Sequence, residues 1–372
     1  MESGESASTG LHQNPRQPGD LTAEWLTGAL QSAGFDGVVS SFDIRLLGEG
    51  VGMMSVLCLI DLQYGAGTGP GTVVGKFAAT VAANLAVALH FDLYRREVVF
   101  YRDIAPLTKM CVPRVYFADV IGSNDFVILM EDMSDYRRGD QIAGCTPEEA
   151  ATCMDELATL HAPFWDKVDT PTFAFTFVHA PSLHSIGMCQ ATIDGWDSMI
   201  ATFGPYVPGF MQDVKDRYLA AIPKMQLWLA QDPITFVHGD FRLDNLLFGD
   251  APGQASVVTL DWQGVLRSKG IQDVAYLLSQ SMEPADRARH EQALVALWHR
   301  GLVDAGVTGY AAEQAWQDYR RAVLSLWVYV TVIASALDPS NDRGKQFMSG
   351  MITRAASAIS DLDCLSLLTD FE

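Results

Sequence analysis

The chain contains 372 residues, of which 49% are hydrophobic and 19% are charged. This length and composition allow two domains with sizeable cores and exclude a disordered protein. The formal net charge of −20 at pH 7 argues against general nucleic-acid binding, which needs a basic surface. The acidity permits a cationic small substrate, but solubility alone explains the same charge.

Cysteine usage and the N-terminal residues bear on the compartment. The six cysteines are scattered and form no Cys-x-x-Cys motif, so neither a zinc site nor a disulfide framework is predicted. The first residues contain neither a basic region nor an apolar segment, which argues against a signal peptide. We expect residues 1–19 to form a mobile tail and the protein to be cytoplasmic.

The first third of the chain predicts a small antiparallel sheet with one long helix. Asp20 is a candidate cap for a short helix that ends near residue 32. A helical pattern at 84–103 separates the third and fourth predicted strands. Apolar segments bounded by glycine-rich turns predict five strands, at 41–47, 54–62, 72–78, 114–119 and 126–130.

The rest of the chain predicts a larger, mainly helical domain. Thr146-Pro-Glu-Glu149 is a capping box with proline at the first helical position, and Pro163 closes the helix that it begins. Further helices are predicted at 205–230, 284–305 and 311–336. An apolar run at 322–337 is shorter than the roughly 20 residues of a membrane span, so we expect a buried helix and no membrane span.

Two acids and an amide near the middle of the chain carry the strongest chemical signal. Asp240, in the motif His238-Gly-Asp240, lies between apolar segments, Asn245 follows it, and Asp261 ends an apolar strand. Polar side chains in such surroundings are costly unless they have a task. A carboxylate can orient an attacking hydroxyl, and amide and carboxylate oxygens suit magnesium. We interpret His238 as a structural residue that braces this loop.

Upstream features are weaker when each is taken alone. A glycine turn with Gly48, Gly50 and Gly52 could approach phosphates or be only a turn. Lys76, inside an apolar strand, could bind phosphates or extend to the rim of the sheet. Glu97 could pair with Lys76 or be a surface charge, and Asp92 is a weaker substitute for it. Farther along, Asp273 is a candidate helix cap.

The order and spacing of these residues resemble the kinase-like small-molecule phosphotransferases, which include aminoglycoside phosphotransferases, choline kinases and the ecdysteroid-kinase-like group. The resemblance covers about residues 20–340. It is carried by Val-His-Gly-Asp-Phe-Arg-Leu-Asp-Asn-Leu-Leu-Phe at 237–248 and Leu-Asp-Trp-Gln at 260–263. Gly-Glu-Gly-Val-Gly-Met-Met-Ser at 48–55 and Leu-Ala-Thr-Leu-His-Ala-Pro-Phe-Trp at 157–165 resemble the ecdysteroid-kinase-like branch.

The resemblance implies a two-lobed, protein-kinase-like α+β fold. Its small N-lobe, at 20–131, would bind the nucleotide, and its helical C-lobe, at 132–372, would hold the catalytic loop and the acceptor. Asp240 would be the catalytic aspartate of the loop, and Asn245 and Asp261 would bind magnesium. Residues that would bind ATP are the three glycines of the turn, the Lys76–Glu97 pair, and Met130, Glu131 and Met133 in a hinge at 128–133.

Departures from the protein-kinase pattern bear on the substrate. Asp261-Trp-Gln replaces Asp-Phe-Gly, and an Ala-Pro-Glu segment is missing from the sequence. We therefore expect ATP- and magnesium-dependent phosphorylation of a hydroxyl on a small molecule. The alternatives are a nucleotide-binding scaffold that has lost catalysis and, less favoured, a protein kinase.

The acceptor is left open by the sequence. If aromatic residues of the helical lobe line a pocket instead of filling the core, they favour a sterol-like or lipid-like alcohol. An aminoglycoside would instead need carboxylates facing its ammonium groups. Four acids could supply them or lie on solvated helix faces: Asp194, Asp197, Asp213 and Asp216.

Overall fold

The computed structural model describes residues 13–47, 54–337 and 341–372. The chain divides into two compact units. The N-terminal unit comprises Met1–Pro106 and Val112–Asp135, and the C-terminal unit comprises Leu107–Cys111 and Tyr136–Glu372.

The N-terminal unit is built on an antiparallel sheet. Its strands within the described residues are β1 (Val38–Leu47), β2 (Ser55–Ala66), β3 (Thr72–Ala78), β4 (Val115–Ile121) and β5 (Asp125–Glu131). Their order in the sheet is β1-β2-β3-β5-β4, and each neighbouring pair is antiparallel. The predicted sheet is therefore confirmed, although β1 and β2 are longer than predicted.

Helix α1 (Ala23–Ser32) covers one face of this sheet. Its buried residues, which include Trp25 and Leu30, join a core with apolar side chains from the strands. The Thr22 side chain accepts a hydrogen bond from Trp25 N at 3.1 Å, so Thr22 is the cap. The prediction that Asp20 caps this helix is wrong, because Asp20 ends a preceding 3₁₀ turn and its carboxylate accepts from Arg16 N instead.

The segment predicted as one long helix is divided. Helix α2 (Ala82–His90) and helix α3 (Leu93–Val99) are separated at Asp92, whose φ of 52° is left-handed and interrupts the α-helical path. A π-helical turn at Phe100–Ile104 follows α3. The break reorients the chain just before Glu97, which is fully buried in α3.

The C-terminal unit is mainly helical. Helix α4 (Pro147–His161) begins with the predicted capping box, in which Thr146 and Glu149 exchange hydrogen bonds. The other helices are α5 (Leu183–Phe203), α6 (Gly209–Asp213), α7 (Lys215–Leu229), α8 (Ile271–Ser281), α9 (Pro284–Asp304), α10 (Ala312–Ser325), α11 (Trp327–Ala336) and α12 (Asp342–Asp361).

The apolar run at 322–337 spans the end of α10 and all of α11 and is largely buried. Helix α8 is buried along its whole length. Within the described ranges, no helix combines the length and apolar character needed to cross a bilayer.

Short strands support the loop between α7 and α8. Strand β7 (Thr235–Val237) pairs antiparallel with β10 (Leu266–Ser268). Strand β8 (Leu246–Phe248) lies between β6 (Arg137–Arg138) and β9 (Val257–Thr259), antiparallel to both. These two small sheets hold the loop at both its ends, and the loop carries most of the predicted chemistry.

Candidate active site

Gly239 permits the sharp turn that follows β7. Its φ is +81°, and an added Cβ would lie 2.4 Å from Gly264 O. A side chain here would be strained and would collide with backbone. This explains why glycine stands between His238 and Asp240.

A buried carboxylate on α8 holds this turn. Asp273 Oδ2 accepts from His238 N at 2.7 Å, and Oδ1 accepts from Gly239 N at 2.9 Å. Asp273 is the third residue of α8, and Gly270 occupies the cap position. The prediction of a structural role is therefore right, but the prediction of a helix cap is wrong, because the carboxylate is used by the loop.

The imidazole of His161 extends this support. Trp298 Nε1 donates to His161 Nδ1 at 3.1 Å, and His161 Nε2 lies 3.2 Å from Asp273 Oδ2. Because Nδ1 acts as an acceptor, the proton of the neutral ring lies on Nε2 and points at the carboxylate. Three donors thus converge on Asp273, which fixes its orientation.

His238 braces the loop as predicted. Its ring is fully buried, Nδ1 accepts from Asp240 N at 3.2 Å, and Nε2 lies 2.9 Å from Leu260 O. The ring therefore ties the backbone of Asp240 to the segment that carries Asp261. Its place inside this network supports a structural role.

The Asp240 side chain is 36% exposed and has two partners in the loop. Asn245 Nδ2 donates to Asp240 O and Oδ2, each at 2.9 Å. Arg242 Nε lies 3.2 Å from Asp240 Oδ1, and its Nη1 donates to Asp244 Oδ2 at 2.7 Å. Because the Asn245 nitrogen is used by Asp240, the side-chain oxygen of Asn245 is the atom left for a cation.

The strand register brings Asn245 and Asp261 to the same end of the β8–β9 pair. Leu246 is paired with Thr259, and Leu260 N donates to Asn245 O at 2.8 Å. Asp261 has a left-handed φ of 62°, which is uncommon outside glycine and marks a constrained position. One amide and one carboxylate oxygen fit magnesium, whose remaining ligands are commonly phosphates and water.

In the N-terminal unit, Lys76 and Glu97 form a buried ion pair. The Nζ of Lys76 lies 2.7 Å from each carboxylate oxygen of Glu97. The exposed fractions of the two residues are 5% and 0%. The pairing predicted from the sequence is present, and neither residue is a surface charge. Asp92 instead faces Arg95 on the surface.

The remaining predicted nucleotide contacts lie at the end of β5 or outside the described residues. Met130 is buried at the end of the strand, and the exposed Glu131 accepts from Arg114 N at 3.3 Å. Met133 is half-buried beyond the strand. The predicted glycine turn, Gly48, Gly50 and Gly52, lies outside the described residues.

The sequence profile of the ecdysteroid kinase-like family matches residues 49–307. The chain belongs to the ecdysteroid kinase-like family. A mouse protein, acyl-CoA dehydrogenase family member 10, is 36% identical over 107 residues. That match covers 25% of this chain and 9% of the mouse protein, so the chain spans only a small part of that relative.

Solved structures share the fold of this ecdysteroid kinase-like chain. The GDP complex of aminoglycoside 2'-phosphotransferase-IIIa has a TM-score of 0.56 at 14% identity, over 91% of this chain and 99% of that one. A choline kinase from Cryptosporidium parvum has a TM-score of 0.51 at 9% identity, over 89% and 91%. The predicted kinase-like fold is thus confirmed.

The aromatic residues considered for an acceptor pocket mostly fill the core of this family member. Phe164, Phe173 and Phe236 pack together with ring centroids 5.4–5.9 Å apart. Trp196 and Trp327 are fully buried. These side chains therefore give no support to a sterol-like or lipid-like acceptor.

The four acids considered for aminoglycoside ammonium groups lie on exposed helix faces or at helix ends. Asp197 is 85% exposed and pairs with Lys215, and Asp194 accepts from Gln190. The solvated alternative is the one that the structure shows.

Sequence reasoning missed the roles of Arg242 and Asp273. A signal for Arg242 was its position between Asp240 and Asp244. A signal for Asp273 was an acid at the start of a helix whose other residues are all uncharged. Burial opposes the charge of Arg242, but its acidic neighbours Asp240 and Asp244, together with Tyr276, raise its pKa above the ordinary value.

Proposed function

We propose that this protein is an ATP- and magnesium-dependent kinase that phosphorylates a hydroxyl of a small molecule by direct, in-line transfer. The observation that carries the proposal is the loop from His238 to Asn245. Its backbone is held by Asp273 and its Asp240 carboxylate is partly exposed. Phosphoryl transfer relies on positioning and charge stabilisation, so a rigid loop with an accessible carboxylate suits it.

Asp240 would accept the hydrogen bond of the acceptor hydroxyl and orient its oxygen towards the nucleotide. Asn245 and Arg242 restrict its side chain to one orientation.

Asn245 and Asp261 would hold magnesium, which when bound would neutralise charge on the nucleotide phosphates. Lys76 would contact those phosphates, and Glu97 would keep its ammonium group in place. A lysine that is buried needs such a partner, and the 2.7 Å pair provides it.

The test is replacement of Asp240 by Asn. ADP release should be measured with a panel of sugars, sterols, choline-like amines, aminoglycosides and hydroxy-acyl compounds. The variant should lose about 10²–10⁴-fold in turnover, while calorimetry shows ATP affinity within about threefold of wild type, because Asp240 is assigned to the acceptor.

A matched control is Asp250→Asn, since Asp250 is exposed and pairs only with a surface arginine among the described residues. Full activity in the Asp240 variant would refute the assignment. ATP binding by the wild type without transfer to any member of the panel would favour a scaffold that has lost catalysis.

A further inference from the structure

Four polar rings form a row through the C-terminal unit. His179 precedes α5, His184 lies in its first turn, Tyr329 is on α11 and Tyr276 is on α8. Successive ring centroids are 5.4, 6.3 and 5.7 Å apart. In the middle of the row, His184 Nε2 lies 3.2 Å from the hydroxyl of Tyr329. We call these four residues the ring row.

One end of the ring row lies beside the catalytic loop. Tyr276 is 1% exposed, and its hydroxyl interacts with the Asp240 carboxylate but meets the geometry of a full hydrogen bond to no described residue. Burial raises its pKa well above 10, and the neighbouring Asp240 carboxylate adds to the rise. The hydroxyl therefore stays protonated and can donate a hydrogen bond next to Asp240.

The other end of the ring row is His179. The residue is fully buried, and neither ring nitrogen finds a hydrogen-bond partner in the described parts of the chain. Burial lowers its pKa well below 6.5, and His184 lowers it further. A neutral imidazole has one donor and one acceptor, and leaving either unsatisfied in the interior is unfavourable. Buried polar atoms without a partner are rare in folded proteins, and a bound polar ligand would supply the missing partner.

The charge of the ring row limits what it can bind. His179 and Tyr276 are uncharged at neutral pH, because the pKa of His179 is lowered and that of Tyr276 is raised. The Asp240 carboxylate, which lies beside Tyr276, is paired with Arg242. The row thus offers hydrogen bonds but no free negative charge. An ammonium group that leaves water needs a negative partner to offset its lost hydration.

We propose that the ring row binds the acceptor, and that this acceptor carries uncharged or anionic oxygen groups near the phosphorylated hydroxyl and no ammonium group there. Tyr276 would hold the end next to Asp240, and Tyr329 and His184 would contact oxygens farther along. This inference deepens the proposed kinase function and rests on it.

Matched alcohols test the substrate class. One set is 1-amino-2-propanol, 1,2-propanediol and lactate, which share a carbon skeleton and a hydroxyl position. The longer set is 6-amino-1-hexanol, 1,6-hexanediol and 6-hydroxyhexanoate. With ATP and magnesium, transfer to each is followed by ADP release and by phosphorus NMR of the product. We expect kcat/KM for the diol or the hydroxy acid to exceed that for the amine at least tenfold.

Two variants test the residues. Tyr276→Phe and Tyr329→Phe should raise KM for the preferred alcohol about fivefold, the effect of one lost hydrogen bond, and leave KM for ATP unchanged. The control is Tyr218→Phe, a fully buried tyrosine outside the row whose hydroxyl donates to Leu324 O at 3.1 Å. It should leave both KM values unchanged.

Equal or better use of the amines would overturn the inference, as would wild-type KM values in both row variants. Transfer to none of the six alcohols by a preparation that binds ATP in calorimetry would overturn it too. A preparation that binds no ATP would overturn the proposed kinase function itself, and the inference with it, so the two failures are distinguishable.

Discussion

Replacing Asp273 by Asn should loosen the loop from His238 to Asn245 without changing the size of the side chain. The wild-type carboxylate accepts from His238 N and Gly239 N, and the Nε2 of His161 points at it from 3.2 Å. Asparagine offers one acceptor oxygen in place of two, and its amide group would face a backbone donor. At least one buried N–H group would therefore lose its partner.

The magnitude follows from these contacts. An unsatisfied buried donor costs about 1–3 kcal/mol, and loss of the charge weakens the hydrogen bonds that remain. We expect a total loss of about 2–4 kcal/mol in the free energy of unfolding of the C-terminal unit. A displacement of the loop by about 1 Å would reduce turnover by roughly 10²-fold.

Urea unfolding followed by tryptophan fluorescence measures the loss in the free energy of unfolding. The sequence has eight tryptophans, and all except Trp25 lie in the C-terminal unit. The signal therefore reports mainly on the unit that contains Asp273. Turnover is measured in parallel with whichever alcohol the activity screen identifies.

Asp286→Asn is the matched control. Asp286 is the third residue of α9, as Asp273 is of α8, so both changes remove the same charge from the same helical position. Asp286 is 45% exposed and lies only near Arg289 among the described residues, so its loss should cost well under 1 kcal/mol. Equal urea midpoints of unfolding and equal turnover in the two variants would refute the role of Asp273 in holding the loop.

Two further changes test the other parts of the site. Lys76→Met leaves the buried Glu97 carboxylate without its partner and should cost about 3–5 kcal/mol, seen as faster hydrogen exchange over 72–78 and 93–99. Adding Glu97→Leu should recover most of that loss, and no recovery would argue against the pair. Gly239→Ala forces a Cβ to 2.4 Å from Gly264 O and should reduce turnover by at least tenfold, because the turn into Asp240 must shift; wild-type turnover would count against this strain.

Local sequence patterns predicted much of the fold. Strand β3 has the predicted bounds, and the capping box at Thr146 begins α4 as predicted. The break at Asp92 was not predicted, because the apolar spacing continues through it and only the backbone conformation of one residue changes. Helices α5, α8 and α12 were not individually predicted; α8 is buried along its whole length, its polar side chains included.

What the sequence by itself determined is the set of residue types and their order along the chain: Lys76, Glu97, Asp240, Asn245 and Asp261, with family membership following from the motifs around them. Each motif is a local pattern, so the sequence identifies these side chains and their spacing. The sequence does not show which residues from distant segments are in contact.

The tertiary structure alone decided that Asp273 holds the turn at His238, 35 positions away, and that the ring row ends beside Asp240. Hydrogen bonds between remote segments depend on how helices pack, and packing is set by the whole core and not by any one stretch of sequence. For the same reason, aromatic residues considered for a substrate pocket lie in the core, whereas Tyr276, at one end of the ring row, lies next to Asp240.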